Sequence, residues 1–188
     1  MPSRRHKLLE ACAQGSLAAF EEALATEDVN QTDKDGSTPL FKACQNGHAE
    51  IASKLLEMKN LDLNQTNMWG CTALWIACKL GRTECVEVLL KKRQQLDLTL
   101  GSKEGKTALH KACEKNHLDV LKLLLTKGRV DPNDDSFAQT PLALACIQGH
   151  FKVVEYLLDH RKIDVNKCGM VRSAPFVSLL QKSPAVVF

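Results

Sequence analysis

Residues 101–113 read GSKEGKTALHKAC, and their first suggestion is a phosphate-cradling loop, with two glycines and a Lys-Thr pair after an apolar run. Such a loop needs the spacing G-x-x-x-x-G-K-[ST], so that backbone N–H groups curl around a phosphate while the lysine reaches past it. Gly101 and Gly105 enclose three residues where that spacing asks for four. The stretch is one residue short, and the rest of the chain explains it differently.

The part from Gly105 onward has three sisters. Residues 36–48 read GSTPLFKACQNGH, 70–82 GCTALWIACKLGR, 105–117 GKTALHKACEKNH and 138–150 AQTPLALACIQGH. The in-phase threonines Thr38, Thr72, Thr107 and Thr140 are 34, 35 and 33 residues apart, and Cys12, Cys44, Cys78, Cys113 and Cys146 form a ladder at 32, 34, 35 and 33. This is an internal repeat. Lys106-Thr107 therefore fills the slot of Ser-Thr, Cys-Thr and Gln-Thr elsewhere, and nucleotide binding is not its reason to be there.

Each threonine suits a helix N-cap, because its hydroxyl accepts an N–H that the first turn leaves orphaned, and Pro39 and Pro141 suit the following position with their fixed φ. Within the helix so begun, Leu40 and Ala43, Leu74 and Ala77, Leu109 and Ala112, and Leu142 and Ala145 share a face at i, i+3. Gly47, Gly81, Asn116 and Gly149 tolerate the left-handed backbone that ends it. A second helix follows, with a stripe of Ile51, Leu55, Leu56; Cys85, Leu89, Leu90; Val120, Leu124, Leu125; and Val153, Leu157, Leu158. Neither helix buries its stripe alone, so the units must stack.

These features resemble the ankyrin repeat family: a period of about 33, the T-P-L-H-x-A signature, the G-H before the second helix, and the D-V-N returns at Asp28–Asn30 and Asp164–Asn166. The resemblance implies an all-α fold, an ankyrin-repeat solenoid of stacked helix-turn-helix units with β-hairpin-like loops. One domain is expected over 1–188, with repeats at about 5–33, 34–66, 67–102, 103–135 and 136–168 and a partial sixth at 169–188. The first, without the Thr-Pro cap, reads as an N-terminal capping unit. The sixth keeps Pro175, Phe176, Leu179 and Leu180 and stops inside its second helix. Two departures mark expected irregularities: the third repeat runs long through 91–105, with Thr99 in place of an asparagine, and Ala138 stands where Gly36, Gly70 and Gly105 stand.

Composition bounds the rest. Hydrophobic residues at 44% and charged residues at 25% are ordinary for a globular chain, and a net charge of +3 implies no nucleic-acid partner without a clustered patch. No apolar stretch reaches the roughly 20 residues of a membrane span, and the basic start lacks a signal-peptide core. The expected location is cytoplasmic, with the nucleus as the second option. The laddered cysteines read as small buried hydrophobes, leaving Cys71 and Cys168 as the exposed thiols; neighbouring units at about 8–10 Å leave the ladder cysteines too far apart to bridge. His110, Cys113 and His117 at i, i+3, i+7 suggest zinc ligands, yet each has a place in the repeat phase and no fourth ligand accompanies them. No metal, no cofactor and no catalytic constellation is expected, so the chain is not read as an enzyme.

In the family, partners sit on the concave face, made of the hairpin tips and the exposed side of each first helix. Carried onto this sequence, the partner-binding residues are Met68, Trp69, Lys79, Leu80, Lys103, Lys106, Lys111, Lys115, Phe137, Ile147 and Met170. Trp69 is the expected anchor, since a large exposed aromatic is a natural hot spot. The repeat-four lysines, with Lys42, form an expected basic stripe. Lys91, Lys92, Arg93, Lys127, Arg129, Arg161 and Lys162 form a second group after the second helices, read as a solvated edge that complements helix dipoles. The function so implied is a non-catalytic, monomeric scaffold that binds a protein or peptide on its concave face. The alternative is the targeting region of a larger enzyme or effector whose catalytic part lies outside the chain. A nucleic-acid or phospholipid-binding surface on the basic edge is the third reading.

Overall fold

A helix starts at every in-phase threonine because the local chemistry closes there. The Thr38 hydroxyl accepts from the Phe41 N–H at 3.1 Å, Thr72 from Trp75 at 3.1 Å and Thr140 from Ala143 at 3.3 Å. Thr107 differs. Its N–H donates to His110 Nδ1 at 3.3 Å and its hydroxyl to Asp134 Oδ2 at 2.8 Å, which reaches across to the next repeat. The computed structural model describes residues 6–167. The partial sixth repeat, Cys168 and Met170 lie outside the described residues.

Five helix pairs result: α1 (Lys7–Gln14) with α2 (Leu17–Leu24), α3 (Pro39–Asn46) with α4 (Ala49–Leu55), α5 (Ala73–Lys79) with α6 (Thr83–Leu90), α7 (Ala108–Glu114) with α8 (Leu118–Leu123), and α9 (Pro141–Ile147) with α10 (Phe151–Leu158). First helices stack on first helices, α1 on α3, α5, α7 and α9 in turn, while α4, α6, α8 and α10 form the second row. The leucine-alanine face of each first helix and the stripe of each second helix are buried in one continuous core, in which the five ladder cysteines and Cys85 also lie. Burial pushes the Cys12 thiol up to about 12 and raises Cys78 and Cys113 likewise, so these three pack as hydrophobes, while a hydrogen bond with Cys44 lowers Cys85. Among the described residues there are no strands, one isolated antiparallel bridge joins Gly101 to Thr107, and no helix is long and apolar enough to cross a membrane.

Three sets of hydrogen bonds tie each repeat to the one before it. At the ends of the first helices, His48 Nε2 lies 3.1 Å from the Ala13 carbonyl, His117 Nε2 3.1 Å from Lys79 and His150 Nε2 2.9 Å from Glu114, while Arg82 Nε donates to the Gln45 carbonyl at 3.3 Å. The G-H phrase is thus a C-cap delivered by the following unit. At the tips, the Met68 N–H donates to the Asp35 carbonyl and Lys103 to Trp69, both at 2.9 Å. After the second helices, Asn30 donates to the Asn60 carbonyl (2.7 Å) and accepts from Asp62 N–H (2.8 Å); Asn64 does the same with Gln95 and Asp97, and Asn133 with Lys162 and Asp164. Thr99 turns its hydroxyl onto its own Asp97 at 2.6 Å, so this rung is replaced by an internal bond.

Repeat three departs upstream of its hairpin, whose closing bonds over 102–106 match those over 33–37 and 67–71, whereas repeat five departs at the turn itself. The extra residue in repeat three is taken up by a 3-10 turn, Arg93–Gln95, and across from it α8 runs into a π-turn, Leu124–Gly128, followed by Arg129 at φ 55. In repeat five the bracing aspartate, Asp134, precedes its threonine by six residues, whereas Asp33 and Asn67 precede theirs by five. The longer span closes as a bend over 136–139, and Ala138 is spared a positive φ.

Two glycines separate backbone strain from the inter-repeat contact. Gly81 and Gly149 have φ of 67° and 69°, but a Cβ on Gly81 would sit 2.5 Å from the His117 ring while one on Gly149 meets nothing within 4 Å among the described residues. Gly149→Ala should cost about 1–2 kcal/mol, the left-handed penalty alone. Gly81→Ala should cost a further ~1–3 kcal/mol as His117 is driven off its carbonyl. Urea unfolding of the two variants measures the difference.

Candidate binding surface

The sharpest feature is the tip of repeat three. Asn67 Oδ1 accepts from the Trp69 and Cys71 N–H groups, both at 3.0 Å, and Gly70 N–H closes the turn onto the Asn67 carbonyl at 2.9 Å. The neighbouring tips hold the same backbone from both sides through Asp35 and Lys103. The side chains of Met68 and Trp69 nevertheless stand 52% exposed. A fixed backbone with a free indole loses little entropy on binding. Leu80, at the end of α5, is 39% exposed and Ile147, at the end of α9, 48%. Lys103 and Lys115 are exposed and Lys79 half-buried.

The expected basic stripe is corrected in its layout, with Lys103 and Lys115 exposed and Lys106 and Lys111 drawn inward. Lys111 is buried, and Glu114 draws Lys106 (3.0 Å), Lys111 (3.0 Å) and Lys115 (3.5 Å) onto one carboxylate. Burial alone would raise the Glu114 pKa, but the hydrogen bonds and charges of Lys106 and Lys111 outweigh it and hold the group at about 2. Lys42 is paired likewise with Asp33 at 2.8 Å. Three cations share the Glu114 carboxylate, so a net positive charge remains there, and it is presented outward by the exposed Lys115 while Lys106 and Lys111 are held inward. Lys106 also lies 4.8 Å above the Phe137 ring, which packs edge-on against His110 at 5.9 Å. Phe137 is half-buried and cements repeat five onto repeat four.

Cys71 is also a correction: it is buried, its thiol is pushed up to about 11 by burial, and its Sγ approaches the Trp69 carbonyl at 3.7 Å. At the first two tips the residue before the capping threonine faces inward as the tip closes, and Ser37 in that slot is buried too, whereas Lys106 and Gln139 are half-buried. His110, Cys113 and His117 go separate ways, the first to Thr107, the second into the core, the third to the Lys79 carbonyl.

Sequence reasoning missed Trp75 and Phe151. Trp75 is buried at the fourth signature position, donates from Nε1 to the Lys106 carbonyl at 2.7 Å, and carries Lys79 and Lys111 over its ring at 5.3 and 5.6 Å. The signal was its slot, which elsewhere holds Phe41, His110 and Ala143. Phe151, 63% exposed at the start of α10, occupies a slot that is Ala49, Thr83 or Leu118 in the sisters.

A family model described as Ankyrin repeats (3 copies) matches residues 8–100 and again 94–167. The chain belongs to the ankyrin repeat family. Among curated proteins, this ankyrin repeat chain is 34% identical over 126 residues to SMC5-SMC6 complex localization factor protein 1 of Bos taurus and 32% identical over 126 residues to the protein of that name from Homo sapiens. Each match covers 65% of this chain and 12% of the relative's length. Ankyrin repeats are, as a class, protein-interaction modules.

The Glu114 cluster gives a pH signature. A carboxylate held below its unfolded value of about 4.3 contributes stability that is present above that pH and lost as pH falls toward 2. Wild type should exceed Glu114→Gln by roughly 1–2 kcal/mol at pH 7, a value reduced by solvent screening at this partly open site, and the margin should vanish near pH 2. Thermal melts of both chains between pH 2 and 7 test this.

Proposed function

We propose that this chain is a non-catalytic, monomeric binding module that holds a partner protein on its concave face, with Met68 and Trp69 as the central anchor. The carrying observation is that two large apolar side chains stand half-exposed on a tip whose backbone is braced by Asn67 and by both neighbouring tips. Lys34, Lys103 and Glu104 are exposed on the flanking tips and supply a polar rim, the usual anatomy of a protein interface. Leu80 and Ile147 extend the apolar surface along the first helices, and Lys79, Lys103 and Lys115 offer charge to partner carboxylates. Lys106, Lys111 and Phe137 support this surface from beneath. Met170 would continue it into the sixth repeat.

The relatives are named as localization factors of a complex, and a binding role of that coarse kind fits a surface like this one. The second reading, a targeting region within a larger effector, is favoured by one observation: the chain matches a segment that is 12% of those relatives.

Substitution of the anchor tests the proposal. Trp69→Ala leaves the Asn67 and Lys103 backbone bonds in place and should keep the fold by circular dichroism, while weakening partner capture from lysate by about 2 kcal/mol, roughly thirtyfold. If wild type and variant retain the same proteins equally, the concave-face reading fails.

A further inference from the structure

The second cationic group is more organised than a solvated edge. Lys91, Lys92 and Arg93, which follow α6, and Lys127 and Arg129, which follow α8, surround one open hollow of about 400 Å³ together with Gln94 and Gln95. Lys127 pairs with Glu87, while Lys91, Lys92, Arg93 and Arg129 make no ion pair among the described residues. Arg93 is oriented, its Nε donating to the Gly128 carbonyl at 2.7 Å, which leaves its terminal nitrogens for a ligand. Complementing helix dipoles, that of α6 for Lys91 and Lys92 and that of α8 for Arg129, accounts for a cation at each place but not for an arginine at a positive φ.

Arg129 sits at φ 55, a strained region where a glycine would rest without penalty, and it is reached through the π-turn Leu124–Gly128. Facing it is the 3-10 turn Arg93–Gln95 that takes up the extra residue of repeat three. Two backbone departures thus meet at the place where four cations go unpaired. Strained residues and π-turns concentrate where a site needs a side chain aimed.

We propose that this hollow between repeats three and four is a phosphate-recognition site, and that its ligand is a phosphoserine or phosphothreonine on a protein segment. Guanidinium groups suit a phosphate dianion, whose oxygens accept charge-assisted hydrogen bonds. A compact ligand is favoured over a long polyanion by what adjoins the hollow: a second cavity of about 750 Å³ shares Arg93 and Arg129 but is lined beyond them by Asp97, Asp131, Asp134 and Asp135. Those carboxylates repel a continuing phosphodiester backbone and attract basic residues beside a single phosphate. The site is separate from the concave anchor, so either can fail without the other.

The test is fluorescence anisotropy on the full chain with three probes: a labelled peptide bearing one phosphoserine flanked by arginines, its unphosphorylated twin, and a short duplex DNA. The phosphopeptide should bind at least about tenfold tighter than its twin. Lys92→Gln and Arg129→Gly should each weaken it severalfold, and Arg129→Gly, which relieves the left-handed residue, should melt no lower than wild type. Equal binding of the two peptides, or variants that bind like wild type, would overturn the proposal. Tighter binding of the duplex, lost in the same variants, would overturn it in favour of nucleic acid.

Discussion

A first helix of seven or eight residues ends in carbonyls that it cannot satisfy, and in this chain the side chain that satisfies them comes from the next repeat. His48, Arg82, His117 and His150 each reach back to the last turn of the preceding first helix. Asn30, Asn64 and Asn133 clamp the far edge of the stack in the same manner, each taking one carbonyl and one N–H of the following unit. No unit is therefore complete alone, in hydrogen bonding as well as in burial. A rung made by a neutral side chain to a backbone group contributes about 1 kcal/mol, and its loss leaves a partly buried polar atom unpaired at greater cost. Stability in such an array is carried by nearest-neighbour terms of this kind.

The same constraint shapes the surfaces. With both edges pinned and the tips linked by Met68–Asp35 and Lys103–Trp69 backbone bonds, the side chains between them divide into those that complete the stack and those left over. Trp75, Lys106, Lys111, Glu114, His110 and Phe137 belong to the first class and form an ion-paired, interlocked layer across repeats three to five. Met68 and Trp69 belong to the second. Their exposure has no structural motive inside the chain, which is what makes it informative about a partner.

Local chemistry was legible in the sequence; cross-repeat chemistry was not. The threonine caps, the glycine or asparagine ends and both apolar stripes depend on residues within a few positions of one another, and they appear where the spacing put them except that Thr107 bonds instead to His110 and Asp134 and that Leu158 is only half-buried. The exposed tip was legible because the slot of Trp69 falls on a hairpin tip, where the sister units hold Asp35, Glu104 and Phe137 and none marks a core position. Lys111 looked like a surface cation because its burial depends on Trp75 of the previous repeat and on Glu114 one turn later. Cys71 looked like a turn residue, and turn residues are usually open, but here the tip closes over it. Thr99 was visible as a departure, yet its meaning required seeing what an asparagine does at that slot.

That slot offers the most direct test of the claim that side-chain rungs between repeats hold the stack. Thr99→Asn places an amide where Asn64 and Asn133 have theirs, within the reach those residues show to the carbonyl and N–H some thirty residues on, here Arg129 and Asp131. Equilibrium unfolding in urea should show Thr99→Asn more stable than wild type by about 1 kcal/mol, with an unchanged slope. A variant no more stable than wild type would contradict the account, and would mean that packing alone sets the order of the repeats.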